Sequence, residues 1–125
     1  MPEGNHLKLI EGKENMKIVT MPEPISVDFS TTDGEKIKQE FKFQDMMFNN
    51  VLVDTKFGKD MKSILAAVNI KNVISKAVEN NASEFMLDDA EWQLLKDVVE
   101  EPTGGYNPAI VIHLTPFLLA VTQAE

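Results

Sequence analysis

Cysteine and arginine are both missing from this sequence of 125 residues, and histidine occurs only as His6 and His113. Without cysteine the chain has no disulfide, no thiolate nucleophile and no thiolate metal ligand, which fits a reducing compartment. All twelve basic residues are lysines, and lysine lacks the planar fork with which arginine grips a phosphate or a guanine. The net charge of −8 also opposes approach to a phosphate backbone, so we expect no nucleic-acid partner.

Long apolar runs are also lacking. The longest extends from Ala109 to Val121 and is interrupted by polar residues and a proline, well short of the roughly 20 residues that span a bilayer. The stretch from Met1 to Ile10 is polar and has no apolar segment typical of a secretion signal, so we expect neither export nor a membrane partner. At 43% hydrophobic and 26% charged residues, the composition is that of an ordinary globular protein of one domain.

The residue types that carry most enzyme chemistry do not form a known motif. There is no Gly-x-Ser-x-Gly sequence, and Gly104-Gly105 is not followed by the lysine of a phosphate-binding loop. The carboxylates cluster at two predicted helix ends, where solvent keeps them ionised, and neither cluster has the order of a calcium loop. His113 lies in an apolar run, and we interpret it as a buried histidine bonded to backbone. We therefore expect no catalytic residue, no cofactor and no metal site.

Acidic residues are concentrated in the last third of the chain. Residues 83–125 contain eight acidic residues and one base, Lys96, and thus carry seven of the eight net negative charges. One interpretation is a partner-binding surface that attracts a basic groove, and the alternative is a solvated face that serves solubility. The candidate partner-binding residues are Asp88, Asp89, Glu91, Asp97, Glu100 and Glu101.

The first part of the chain predicts an arm followed by strands. Residues 1–15 contain too few apolar residues to order alone, and we predict a flexible arm that either stays free or orders against a partner. Alternation of apolar and polar residues predicts a β-hairpin that turns at Asp33-Gly34. Its apolar face must be covered by helices or by another chain. The residues predicted on that face are Ile25, Val27, Phe29, Ile37, Phe41 and Phe43.

Helical spacing begins after the hairpin. We predict a short helix from Gln44 or Asp45 to about Val53, with its methionines as adaptable core side chains or, alternatively, as a soft partner-binding groove. A longer helix from Lys59 to Asn80 has an apolar stripe that changes phase near residues 69–72, which predicts a kink or two helices.

Two further helices are predicted near the C-terminus. Asp88 and Glu91 have the spacing of a capping box and predict a helix from Asp88 to Glu101, with Trp92 on its core side. Asn107-Pro108 predicts the start of a final, nearly all-apolar helix that is central or half covered by a second subunit; a strand at 109–114 is the alternative. The predicted fold class is α+β, with residues 16–125 as one domain in which the β-hairpin packs on a small bundle of three to four α-helices.

Parts of the sequence resemble a group of small uncharacterised proteins encoded by tailed bacteriophages and prophages. The matching parts are Phe43-Gln44-Asp45 with Asn50-Val51-Leu52, the segment from Phe85 to Lys96, and the segment from Tyr106 to Val111. The resemblance covers about residues 36–122 and implies a polar β-turn segment with three or four helices. It carries no functional residue over to this chain, which departs from the group in its longer arm and in Trp92.

The resemblance and the charge pattern lead to two hypotheses about function. The first is a non-enzymatic bacteriophage protein, a virion or tail-assembly component, that docks on copies of itself or on a larger phage structural protein. Its arm, hairpin and last helix would make these contacts. The alternative is an acidic phage protein that binds and inhibits a host enzyme or defence complex. Both hypotheses place the protein in the host cytoplasm, and the first also places it in the virion.

Overall fold

The computed structural model describes residues 16–125, which form a mixed α+β fold as predicted; the predicted arm, residues 1–15, lies outside the described residues. In chain order the elements are β1 (Met16–Thr20), β2 (Ile25–Ser30), β3 (Lys36–Phe41), α1 (Phe43–Met46), α2 (Met61–Glu79), β4 (Glu84–Asp88), α3 (Asp89–Glu100), α4 (Pro108–Val111) and α5 (Thr115–Thr122). A π-helical turn, Met47–Val51, extends α1, and a 3-10 turn, Thr55–Gly58, precedes α2.

Strands β2 and β3 form the predicted antiparallel hairpin. Ile25 pairs with Phe41 and Phe29 pairs with Ile37, so these side chains share one face, as the period of two predicts. Ile25 and Phe41 at the base pack against the core, whereas Ile37 near the turn is half exposed. Phe43, which the alternation assigned to the hairpin face, instead begins α1 and is buried, because the chain leaves the strand after Phe41.

Strands β1 and β4 form a second ribbon, which the sequence did not predict. The two strands are antiparallel, with Val19 opposite Phe85 and Lys17 opposite Leu87, and the three apolar residues are buried. On the other edge of β1, the backbone N–H of Glu125 donates to the carbonyl oxygen of Ile18 at 3.0 Å. Three distant parts of the sequence therefore meet at β1.

Helix α2 is one uninterrupted helix of 19 residues, so of the two predicted alternatives, a kink or two helices, the second is wrong. Its second half buries Ile70, Ile74 and Ala77. Its first half has apolar residues that are exposed instead, namely Met61, Ile64, Leu65 and Val68. At 3.6 residues per turn these two sets lie on nearly opposite faces. The change of phase in the sequence therefore reflects one helix with an apolar stripe on each face.

Helix α3 begins with the predicted capping box. The Asp88 carboxylate accepts the Glu91 N–H at 2.7 Å, and the Glu91 carboxylate accepts the Asp88 N–H at 3.4 Å. The buried side chains of this helix are Trp92, Leu95, Val98 and Val99. Trp92 is thus on the core side of α3, as predicted.

The C-terminal helical region is divided into α4 and α5, so the prediction of one final helix is wrong. Asn107 caps α4 and Pro108 lies in its first turn, as predicted. Pro116 has no N–H, and in a continuous helix its ring would collide with the carbonyl group of Ile112. The helix therefore ends before Pro116, which lies in the first turn of α5. The alternative strand at 109–114 is also wrong.

The two halves of this region differ in burial. Phe117 and Val121 of α5 are fully buried, whereas α4 has no buried residue. His113 lies between the two helices and is exposed, so its interpretation as a buried histidine is wrong. The physical reason is the break between α4 and α5, because His113 lies in the connecting turn and not on the buried side of one continuous helix.

The core connects the helices with the β1–β4 ribbon. The ring centroid of Phe43 lies 6.0 Å from that of Phe85 and 5.9 Å from that of Phe117, the latter pair edge to face, a favourable arrangement for aromatic rings. Met46 and Met47 are buried beside them. Their interpretation as adaptable core side chains is confirmed.

Candidate interaction surfaces

The predicted acidic surface is divided between the two ends of α3. The helix has 12 residues and is therefore about 18 Å long. At its N-terminal end, Asp88 and Glu91 form the capping box, and the Glu91 carboxylate also accepts a hydrogen bond from the side-chain amide of Asn69 on α2. These two carboxylates thus have a structural role, since they cap α3 and connect it to α2.

The C-terminal end of α3 contacts a lysine that the sequence did not single out. The Lys56 ammonium lies 3.8 Å from the Asp97 carboxylate and donates a hydrogen bond to the carbonyl oxygen of Glu101. Asp97 remains largely exposed, so this ion pair contributes at most about 1 kcal/mol.

Three of the six predicted residues remain on the outer side of α3. At 100° per residue, Asp89, Asp97 and Glu100 fall within one 80° sector opposite the buried Leu95, and all three are exposed. Asp89 and Glu100 make no side-chain hydrogen bond or ion pair within residues 16–125. We call these three residues the α3 acidic face. Glu101 is also exposed, but it follows the last turn of α3 and lies outside this sector.

Asp54 is a well-connected carboxylate that the sequence did not indicate. It accepts the backbone N–H of Lys56 at 2.8 Å, the backbone N–H of Thr103 at 2.7 Å and the Thr103 hydroxyl at 2.9 Å. Burial by itself would raise the pKa of Asp54, but these hydrogen bonds and the Lys56 ammonium together hold that pKa below its ordinary range. Asp54 thus fastens the loop after α3 to the turn before α2.

Tyr106 attaches the other end of the same loop. Its hydroxyl donates to the carbonyl oxygen of Val99 at 2.7 Å. Burial, and then the negative charge of Asp54, raise the pKa of Tyr106. Because Tyr106 keeps its proton and Asp54 keeps its charge at neutral pH, neither group is tuned to exchange a proton with a substrate. We interpret both as structural.

An exposed apolar stripe covers the first half of α2. We define the α2 stripe as Met61, Ile64, Leu65 and Val68, whose side chains are between 42% and 67% exposed. Their spacing of three and four residues aligns them along one side of the helix. A single exposed apolar residue is ordinary, but a contiguous row of four is typical of an interaction surface.

A groove separates the α2 stripe from α3. Its apolar side chains are Leu65 and Ala66 of α2 and Ala90 and Leu94 of α3. Its charged side chains are Lys59, Asp60 and Lys62 at the start of α2, and Asp88 and Glu91 at the start of α3. Glu91 contacts Asn69, seven residues after Lys62, which corresponds to about 10 Å along α2. With two lysines and one aspartate at one end and two carboxylates at the other, the groove has an end of net positive charge and an end of negative charge.

A second cleft, of about 420 Å³, lies between the base of the hairpin, α1 and α4. Its lining includes the apolar residues Phe41, Met46, Ile110 and Val111 and the amides Asn49 and Asn50. Its lining also includes Glu40, Lys42, Asp45 and Tyr106 but no histidine, serine or threonine, so it does not contain a hydroxyl nucleophile paired with a histidine base.

Within residues 16–125, no three histidine or acidic side chains converge in a way that would hold a metal ion. None of the helices in this range combines the length and the apolar character needed to cross a bilayer.

Comparison with protein-family models, with characterised proteins and with solved structures found no match to this chain. The function of the α2 stripe and of the α3 acidic face is therefore inferred from their own residues.

Proposed function

We propose that this protein acts through protein–protein contacts, as a non-enzymatic virion or tail-assembly component of a bacteriophage. The observation that carries the proposal is the α2 stripe, because four exposed apolar side chains in one row within residues 16–125 are typical of a surface that another protein covers. The phage setting rests on the sequence resemblance of residues 36–122. On this proposal the protein is present in the host cytoplasm during assembly and then in the virion.

The composition and the hydrogen bonds support a protein partner over a nucleic acid or a substrate. A net charge of −8 and the absence of arginine disfavour binding to nucleic acid. The pKa of Asp54 is lowered and that of Tyr106 is raised. Both groups make structural hydrogen bonds, which disfavours a role for them in proton transfer to a substrate. An apolar stripe next to a groove with charged ends has the composition of an ordinary protein interface, apolar at its centre and polar at its rim.

Fractionation of lysates from cells that produce the encoding phage tests this proposal. We expect the tagged full chain to sediment with particles or assembly intermediates and the Leu65→Glu variant to remain in the light fraction. Ile112→Glu is the control, because Ile112 is an equally apolar and 69% exposed residue outside the stripe; it should sediment like the parent. A parent chain found only in the light fraction, with no phage structural protein bound, would overturn the proposal.

The α3 acidic face favours a second candidate, an inhibitor that binds a basic groove of a host enzyme or defence complex. Asp89, Asp97 and Glu100 are exposed on one side of α3. Their negative charges attract a basic surface, and added salt screens this attraction. The variant Asp89→Asn, Asp97→Asn, Glu100→Gln should then lose a captured host protein, and Leu65→Glu should keep it. The assembly proposal predicts the reverse for these two variants.

A further inference from the structure

We infer that the α2 stripe is the contact between two copies of this chain, which pack antiparallel about a two-fold axis. This inference rests on the proposed function, since it names the partner of the same stripe. A two-fold interface uses one surface twice, so that surface must be complementary to itself.

The apolar residues fit an antiparallel register. If the axis passes between Ile64 and Leu65, then Ile64 of one copy lies opposite Leu65 of the second copy, and Met61 lies opposite Val68. All four side chains of the stripe then have an apolar neighbour across the contact, in the manner of interdigitating antiparallel helices.

The charges around the groove select the same orientation. When two antiparallel α2 helices are related by a two-fold axis, the grooves beside them lie on the same side of the contact. The two grooves then run in opposite directions. The end of net positive charge in one groove, Lys59, Asp60 and Lys62, then lies beside the negative end of the other, Asp88 and Glu91. In a parallel two-fold arrangement the two grooves would lie on opposite sides of the contact, so the lysines of one copy would not meet the carboxylates of the other. Charge therefore supplies an argument for antiparallel packing that is independent of the apolar fit.

The size of the surface predicts a dimer of modest affinity. A stable interface buries about 800 Å² of each partner, and four partly exposed side chains provide only its apolar centre. The groove residues Ala66, Ala90 and Leu94 and the charged rim extend the contact toward that size. We therefore expect a dissociation constant on the order of micromolar.

Light scattering on the full chain from about 1 μM to about 1 mM measures this equilibrium. We expect the mass to rise from 14.0 kDa to twice that value. Leu65→Glu should remain monomeric throughout, whereas the control Ile112→Glu should dimerise like the parent. Circular dichroism verifies that both variants are folded. A parent chain that stays monomeric at about 1 mM, or a folded Leu65→Glu protein that still dimerises, would overturn the inference.

Cysteine cross-linking tests the register, and it does not depend on a charged substitution in the stripe. Because the chain has no cysteine, Met61→Cys and Val68→Cys each introduce a single thiol. In the antiparallel register, like positions are displaced by seven residues, about 10 Å, which exceeds the reach of a disulfide. Mild oxidation should therefore cross-link an equimolar mixture of the two variants and neither variant alone. Cross-linking of each variant with itself would indicate parallel packing and would contradict the inference.

The contact between two copies and the role in phage assembly are distinguished by these experiments. A monomeric parent chain would remove the second copy as the partner, while sedimentation with phage particles would still support an assembly role. A dimer that never associates with particles or phage structural proteins would confirm the contact between copies and overturn the proposed function.

Discussion

The indole N–H of Trp92 donates a hydrogen bond of 2.8 Å to the carbonyl oxygen of Val121, and both residues are buried. This bond connects α3 to α5. The ammonium groups of Lys17 and Lys96 lie 4.9 and 5.1 Å from the centre of the indole ring, within the distance at which an aromatic face attracts a cation. Trp92 therefore holds β1, α3 and α5 together through its ring faces and its polar edge.

Two substitutions at Trp92 separate these contributions. Trp92→Ala removes both the packing and the hydrogen bond, and we expect a loss of about 3 to 5 kcal/mol in the free energy of unfolding. Trp92→Phe retains most of the packing but leaves the Val121 carbonyl without the indole donor, and it should cost about 1 to 3 kcal/mol. Urea unfolding should be followed by circular dichroism, because this is the only tryptophan. A free energy of unfolding of Trp92→Ala equal to that of the parent would contradict the role of Trp92 in the core.

Asp54 predicts a specific dependence of stability on pH. Its pKa is lowered in the folded chain, so its stabilisation is fully present above the pKa of an unfolded aspartate, about 4, and is lost as the pH falls through the lowered value. Asp54→Ala should reduce stability by about 1 kcal/mol at pH 7, because Asp54 caps the turn before α2.

The difference between the parent and Asp54→Ala should shrink as the pH is lowered below about 4, which urea unfolding at several pH values measures. Thr103→Val is the matched control: it removes the hydroxyl donor but keeps the backbone N–H that bonds Asp54, so it should show part of the effect. A difference that stays constant over this pH range would show that the charge of Asp54 is not responsible.

Asp88 and Asp89 are adjacent and chemically identical, but the structure gives them different roles. Asp88 caps α3, whereas Asp89 is exposed on the α3 acidic face. Asp88→Ala should therefore cost about 1 kcal/mol of stability, and Asp89→Ala should remain within about 0.5 kcal/mol of the parent. Thermal unfolding of the two variants provides the comparison. Equal losses would mean that the capping box contributes little and that both carboxylates act only through surface charge.

The elements that could be predicted from sequence are those with local signals. The hairpin follows from period-two alternation around Gly34, which adopts φ of +84°, and α3 follows from the spacing of its capping box. Strand β4 has the same alternation, with Phe85 and Leu87 buried, but its partner β1 lies far away in the sequence. No local pattern specifies such a pairing, so this ribbon was missed.

The candidate surfaces were predicted only in part for the same reason. The spacing of Asp88 and Glu91 indicated a cap, but Asp54 and Thr103, which are 49 positions apart, have no shared signal in the sequence. Periodicity located both apolar stripes of α2. It did not show which stripe the fold covers, because an apolar pattern has the same appearance in a core and in an interface.

The two faces of α2 can be compared with one substitution type. Ile70 is fully buried and Ile64 is 42% exposed, six residues apart in the same helix. Ile70→Ala should leave a cavity and cost about 2 to 5 kcal/mol, whereas Ile64→Ala should cost less than about 1 kcal/mol. Both should be measured at high dilution, where the chain is monomeric and contact between copies adds no stability. Because the helix propensity of the two exchanges is the same, any difference reports the burial of each face. A large loss for Ile64→Ala in the monomer would mean that the folded chain itself covers the α2 stripe, and the inference of a second copy on that surface would then be untenable.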